Sequence, residues 1–154
     1  MEISETPSVK VLFRFFSNVL DEITVETMWA EPVDLELGHY KIDNIPFYAS
    51  VACGDIVLAE FDQDEQMLTF RSIVEPSGNS TIQVVMLKES TPVKDIMNAL
   101  HNIGAEYEGF RDGYFVLNIS ANVSYTPIKS KLGEFAEQGI LDYSEPVLSS
   151  NHVY

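Results

Sequence analysis

Cysteine is almost absent: Cys53 stands alone among 154 residues. One cysteine excludes an internal disulfide and any thiolate metal cluster, and points to a reducing, cytoplasmic setting. Basic residues are also scarce, 9 Lys and Arg against 24 Asp and Glu, for a net charge of -15. That shortage argues against a nucleic-acid surface, which needs clustered cations to neutralise phosphates. No apolar run is long enough to span a bilayer. The N-terminal MEISETPSVK carries acids and no apolar stretch, so a signal or transit peptide is not expected. Tryptophan too is a single residue, Trp29. What remains is ordinary globular material: 45% hydrophobic and 21% charged.

The charge is uneven. Residues 1–76 hold fifteen acids and four bases; residues 77–154 hold nine and five. The seam coincides with Glu75-Pro76-Ser77-Gly78-Asn79-Ser80, the densest turn-forming cluster. The expected division is therefore a unit at 7–76, a second at 79–148, and a tail at 149–154. Each half is small for an independent core, so the two are expected to pack together.

The first half reads as strands. Val9–Phe16 alternates with one apolar face, and Glu26–Pro32 sets Thr27, Trp29 and Glu31 opposite Met28 and Ala30. Tyr40–Ile45, Asp55–Asp62 and Gln66–Glu75 follow, the last two joined by the hairpin turn Asp62-Gln63-Asp64-Glu65. Five short strands predict a small barrel-like unit of SH3-like character. The second half reads β-α-β-β-α-β. Strand Ser80–Leu87 precedes a helix opened by Thr91-Pro92 and stopped at Gly104. Strands Ala105–Arg111 and Tyr114–Ala121 meet at Asp112-Gly113. Helix Pro127–Gln138 and strand Ile140–Val147 complete the order. That order is a ferredoxin-like plait. The class is α+β.

Between Phe15 and Phe70 twelve acids face one base, Lys41. Unpaired buried carboxylates are costly, so this density is expected on the surface. There it is a solvated face, a docking face for a basic protein or, third, a binder of divalent metal. Candidate docking residues are Glu26, Trp29, Glu31, Asp34, Glu36, Asp43, Tyr48, Asp62, Asp64 and Glu65. Trp29 reads two ways, as a core residue of the barrel, which its size favours, or as an interface anchor. Asp43-Asn44-Ile45-Pro46-Phe47-Tyr48 reads as a turn or as a pocket rim. Cys53 is expected to be buried. His39, His101 and His152 are scattered, without metal-ligand spacing, and no nucleophile elbow, phosphate loop or Ca²⁺ loop is present. No metal, cofactor or catalytic residue is called.

The strings VETMWAEPV (25–33), YKIDNIPFYAS (40–50), GDIVLAEFD (54–62) and Gly78-Asn79-Ser80-Thr81 are the most distinctive. Together they resemble the DUF4265 family, bacterial proteins of about this length without an assigned function. The likeness covers most of residues 9–90 and is loose beyond. It supplies no catalytic residues, and it implies a bacterial source and that 9–90 is one integral unit.

The leading expectation is a non-enzymatic cytoplasmic protein whose acidic half docks a basic partner, for example an immunity or inhibitor protein plugging a toxin. The alternative is a small-molecule-binding regulatory domain in the ferredoxin-like half, with Asn98, His101, Asn102 and Arg111 as contacts. An enzyme built on Asp43, Tyr48 and His39 ranks third. The state is read as monomer or homodimer, without nucleic acid or membrane as partner.

Overall fold

The computed structural model describes residues 7–111 and 113–154. The fold is α+β, with two sheets and two α-helices. The chain divides into two compact units: residues up to Asn44 with Cys53–Ser77, and Ile45–Ala52 with Gly78–Tyr154.

In the first unit β1 (Val9–Ser17), β2 (Glu22–Asp34), β3 (His39–Ile42), β4 (Ile56–Asp62) and β5 (Met67–Glu75) pair in sequence order. Neighbours run antiparallel, and a parallel bridge between Leu12 and Thr69 closes the ring. Strand alternation decides what fills it. Val11 and Phe13 of β1, Met28 and Ala30 of β2, Tyr40 and Ile42 of β3, and Val57 and Ala59 of β4 are all buried. Phe13 stacks on Phe70 with ring centroids 4.6 Å apart. The β4–β5 turn is made by Asp62, whose Oδ1 accepts the amides of Asp64 (2.9 Å) and Glu65 (3.1 Å). Gln66 follows at φ 59, a left-handed position that this turn demands and glutamine tolerates at some cost. Asp55, one of the twelve acids expected outside, is 4% exposed and accepts the Ser77 amide at 2.8 Å.

In the second unit β6 (Ser80–Met86), β7 (Glu106–Arg111), β8 (Tyr114–Ile119) and β9 (Leu141–Val147) form a sheet of order β7-β8-β6-β9, antiparallel throughout. Helices α1 (Val93–His101) and α2 (Thr126–Glu137) lie in the crossovers. One sheet face, with Ile82, Val84, Phe115, Leu117, Ile119 and Leu141, shares a core with Ile96 and Leu100 of α1 and Ile128 and Leu132 of α2. Helix α1 starts one residue after Pro92 and has no side-chain cap, so Thr91 does not fill the capping role expected of it. Past its end Gly104 adopts φ +116, and a Cβ there would meet Val123 Cγ1 at 2.7 Å. Asp112 of the expected Asp112-Gly113 turn lies outside the described residues.

Both faces of β8 are buried, and the second face is covered by Ile45–Ala52. Tyr48 stacks on Tyr114 at 5.1 Å, and the Tyr114 hydroxyl donates to the Phe47 carbonyl. Gln83 Nε2 donates to the carbonyls of Phe47 and Tyr48, and Thr81 Oγ1 to that of Val51 at 3.0 Å. Side chains of the sheet thus satisfy the backbone of a segment that has no ladder of its own.

The stretch expected as a tail is fastened to this unit. His152 is 2% exposed; Ser80 Oγ donates to its Nδ1 (2.6 Å), and its Nε2–H is shared by the carbonyls of Ser120 (2.9 Å) and Val123 (3.1 Å).

Candidate functional site

Strand β2 pairs with β1 along Glu22–Ala30 on one side and with β3 along Ala30–Asp34 on the other. Its parity leaves Ile23, Val25, Thr27, Trp29, Glu31 and Val33 pointing away from the ring interior. These include large apolar side chains: Ile23 is 63% exposed and Trp29 47%. Trp29 is therefore not the core residue that its size favoured. Met28 and Ala30 hold the interior beside it, and a ring of five short strands has no room for an indole at the intervening position. Across the β1–β2 ladder Phe16 stands opposite Ile23, Arg14 opposite Val25, and Lys10 opposite Trp29. Phe16 is itself exposed, and Leu35 and Leu37 are exposed at the far β2–β3 turn. An apolar stripe of this kind on a surface marks an interaction site.

The acids sort into two groups. At the β4–β5 hairpin, Arg14 Nη2 lies 2.6 Å from Glu65, and Arg71 reaches Asp62 (3.0 Å) and Glu60 (3.4 Å). The hydrogen bond from Arg71 is the main reason that Asp62 stays below the usual carboxylate range, aided by the turn amides. Arg14 and Arg71 sit immediately outside the Phe15–Phe70 window, and both reach into it. The window's charge therefore overstates the field of the folded unit. The second group is unpaired: Glu22, Glu31, Glu36, Asp43 and Asp64 are exposed and no described cation bridges them. Of the remaining candidates, Asp34 is half-buried and accepts the Leu37 amide (3.1 Å), shaping the β2–β3 turn. Glu26 is half-buried and partnered. Tyr48 belongs to the second unit, not to the one that carries the acidic set.

Asn44 was grouped with the Asp43–Tyr48 turn. Its Oδ1 accepts the Trp29 amide at 2.6 Å, and the Asp43 amide donates to the Trp29 carbonyl at 2.9 Å. These bonds extend the β2–β3 ladder and fix the backbone beneath the indole. Cys53 is half-buried, not buried, with its thiol toward the Ile42 carbonyl.

Of the alternative ligand residues, Asn98, His101 and Asn102 lie in the last turns of α1 and at its C-cap, whereas Arg111 ends β7. Asn102 is the C-cap and donates to the Asn98 carbonyl, while His101 Nδ1–H donates to the Ala105 carbonyl at 2.9 Å. A groove of about 440 Å³ opens instead at the N-terminal end of α1, lined by Met86, Lys88, Glu89, Thr91, Pro92, Val93 and Gly113. Arg111, at the end of β7, is partnered and does not line it.

One polar cluster was not foreseen. Tyr125 donates to Glu145 Oε2 at 2.6 Å, Tyr154 donates to Oε1 at 2.7 Å, and the Lys129 ammonium lies 3.3 Å from the same carboxylate. Lys129 also sits 4.2 Å from the Tyr154 ring centroid and 4.9 Å from that of Tyr143. Burial alone would raise Glu145, yet the two hydroxyls and the ammonium outweigh it and hold the carboxyl below its usual value. Burial and the adjacent carboxylate push Tyr125 far up. These contacts tie α2, β9 and the C-terminal residue together.

Among the described residues no three His, Cys, Asp or Glu side chains converge on a metal position, and no helix is long and apolar enough to cross a membrane.

No curated protein matches the chain. A solved structure described as a novel crystal structure of a hypothetical protein from Neisseria gonorrhoeae is similar, with a TM-score of 0.79 and 25% identity over 95% of this chain and 99% of that one. The model of a domain of unknown function, DUF4265, matches residues 26–143. That match starts inside β2 and runs through both helices into β9, well past the point where the sequence likeness loosened. The chain belongs to the DUF4265 family.

Proposed function

We propose that this is a non-enzymatic bacterial protein that docks a basic protein partner on the outer face of β2. The observation that carries the reading is the exposed stripe Ile23, Val25, Trp29 and Val33, with unpaired acids at Glu22, Glu31 and Glu36 along it and at its ends. Apolar anchors supply affinity, while charge selects the partner and speeds its approach. A second copy of this chain, with net charge -15, would bring acids to acids. A cationic protein meets no such repulsion. An immunity or inhibitor protein acting by steric occlusion in the cytoplasm fits these features. Mimicry of a phosphate backbone needs unpaired carboxylates, so Glu60, Asp62 and Glu65, tied to arginines, drop out of it. At the finer level of fold, the closed ring supports an SH3-like barrel. The sheet order with its two crossover helices supports a ferredoxin-like plait.

The test is affinity capture from the native lysate, comparing the wild-type chain with an Ile23→Asp, Val25→Asp double variant. The expected outcome is a basic protein held by the wild type, lost with the variant, and weakened by salt, because exposed charges are screened within about 8–10 Å at physiological ionic strength. Capture unaffected by the variant, or capture of an acidic protein only, contradicts the reading.

A second reading rests on the groove at the N-terminal end of α1, whose volume lies in the range of small-molecule sites. It predicts a thermal shift with a metabolite that Val93→Trp abolishes.

A further inference from the structure

We propose that Trp29 is the seat for an arginine of the docked protein, and that Lys10 occupies that seat in the free chain. The inference rests on the docking reading above and names the chemistry at its centre. Lys10 and Trp29 are direct partners across the β1–β2 ladder, and the Lys10 ammonium lies 5.1 Å from the indole centroid. The face of the indole thus already holds a cation. Among the described residues no carboxylate bridges Lys10, so the ring is its one electrostatic partner and little holds it there. Glu31 points outward from the same strand two residues on and is exposed, roughly 7 Å away along the strand. Indole face and carboxylate together form the complement of a guanidinium, which stacks flat and bonds a carboxylate through its fork. An ammonium can use only one of the two at a time. Arginine is also less strongly hydrated than lysine, so it gains more from leaving water for an aromatic face.

The floor of the seat is rigid. Asn44 accepts the Trp29 amide at 2.6 Å and the Asp43 amide donates to the Trp29 carbonyl, so the backbone is fixed before a partner arrives. The Trp29 amide and carbonyl are both taken, by Asn44 and Asp43, so recognition at that position falls to side chains: an arginine on Trp29, with apolar neighbours laid along Val25 and Ile23.

Trp29 is the sole tryptophan, so the full-length chain labelled with ¹⁵N gives a single indole N–H signal. The probes are N-acetyl-arginine amide, N-acetyl-lysine amide and N-acetyl-glutamate amide. Arginine is expected to move that signal saturably, lysine less, and glutamate not at all. Lys10→Ala removes the resident competitor and is expected to tighten arginine binding roughly 2–5-fold, the range set by an exposed cation–π contact. Glu31→Gln is expected to weaken it by a similar factor. Arginine acting no differently from glutamate, or Lys10→Ala leaving the affinity unchanged or weaker, overturns the proposal. Capture that still depends on Ile23 and Val25 alongside a failed titration removes the arginine seat and spares the docking face. Capture indifferent to those residues removes both.

Discussion

In the second unit Phe115, Leu117 and Ile119 from the sheet meet Leu100, Ile128 and Leu132 from the helices, and each is fully out of water. In the first unit β2 keeps only Met28 and Ala30 as buried apolar side chains and turns Ile23, Val25, Trp29 and Val33 outward. Of the large apolar side chains exposed among the described residues, twelve lie in the first unit and six in the second. A helix-covered sheet has an interior that can absorb long side chains. A ring of five short strands is filled by one face of each strand, and the other face must be polar or be used. The excess of apolar residues on the outer face adds nothing to the interior of the ring, which is why we propose it for docking.

The sharpest check of that contrast is a pair of truncations. Phe115→Ala is expected to cost about 3–5 kcal/mol in urea denaturation, through lost burial and a cavity. Val25→Ser is expected to stay within about 0.5 kcal/mol of the wild type. Equal losses would erase the distinction between the two units.

Next in size is the Glu145 cluster, which gives the second unit a half-buried carboxylate sensitive to acid. Tyr125→Phe is expected to cost about 1–2 kcal/mol, since it strips a hydrogen bond from a half-buried carboxylate. Glu145 titrates below the ordinary glutamate value of 4.5 when folded. The folded state therefore binds that proton less tightly than the unfolded chain does. Its contribution is complete above the unfolded value and is lost as pH falls through the folded one. Urea midpoints from about pH 6 to about pH 3 should fall less steeply in Glu145→Gln than in the wild type. An equally steep fall would place the acid sensitivity elsewhere.

In the first unit Gln66 holds φ 59 in the β4–β5 turn. Gln66→Gly is expected to stabilise by about 0.5–1 kcal/mol, and a loss instead would mean that its side chain does more than tolerate the turn. Arg71→Ala should have the smallest effect. Its pairs with Glu60 and Asp62 are exposed, so any change in midpoint should vanish in high salt.

Much of the architecture was legible because alternation and turn residues agree along the chain. Each predicted strand has an observed counterpart, and both helices end within three residues of their glycine stops. The failures are instructive one by one. Alternation put Trp29 on the face of Thr27 and Glu31, opposite Met28, and the structure has that parity. The preference of large aromatics for cores pointed the other way, and parity won. The sequence pattern starts β2 at Glu26, whereas the strand starts at Glu22 and carries the outward face on to Ile23 and Val25. Arg14 lies 51 residues from Glu65, and only ring closure brings the two together, whereas Arg71 meets Glu60 and Asp62 across the β4–β5 hairpin, whose register the sequence does not show. The passage of Ile45–Ala52 into the second unit carried no local signal, because its bonds are made by side chains of distant strands. His152 was read as part of a loose tail for the same reason.

The most direct measurement places a photo-crosslinking amino acid at Val25, on the outer face of β2, and in a second preparation at Lys94, exposed on α1 of the other unit. Irradiated in native lysate, the first is expected to trap one basic protein and the second none. Trapping at Lys94 alone, equal trapping at both positions, or an acidic protein bound at Val25 would contradict the assignment of docking to the first unit.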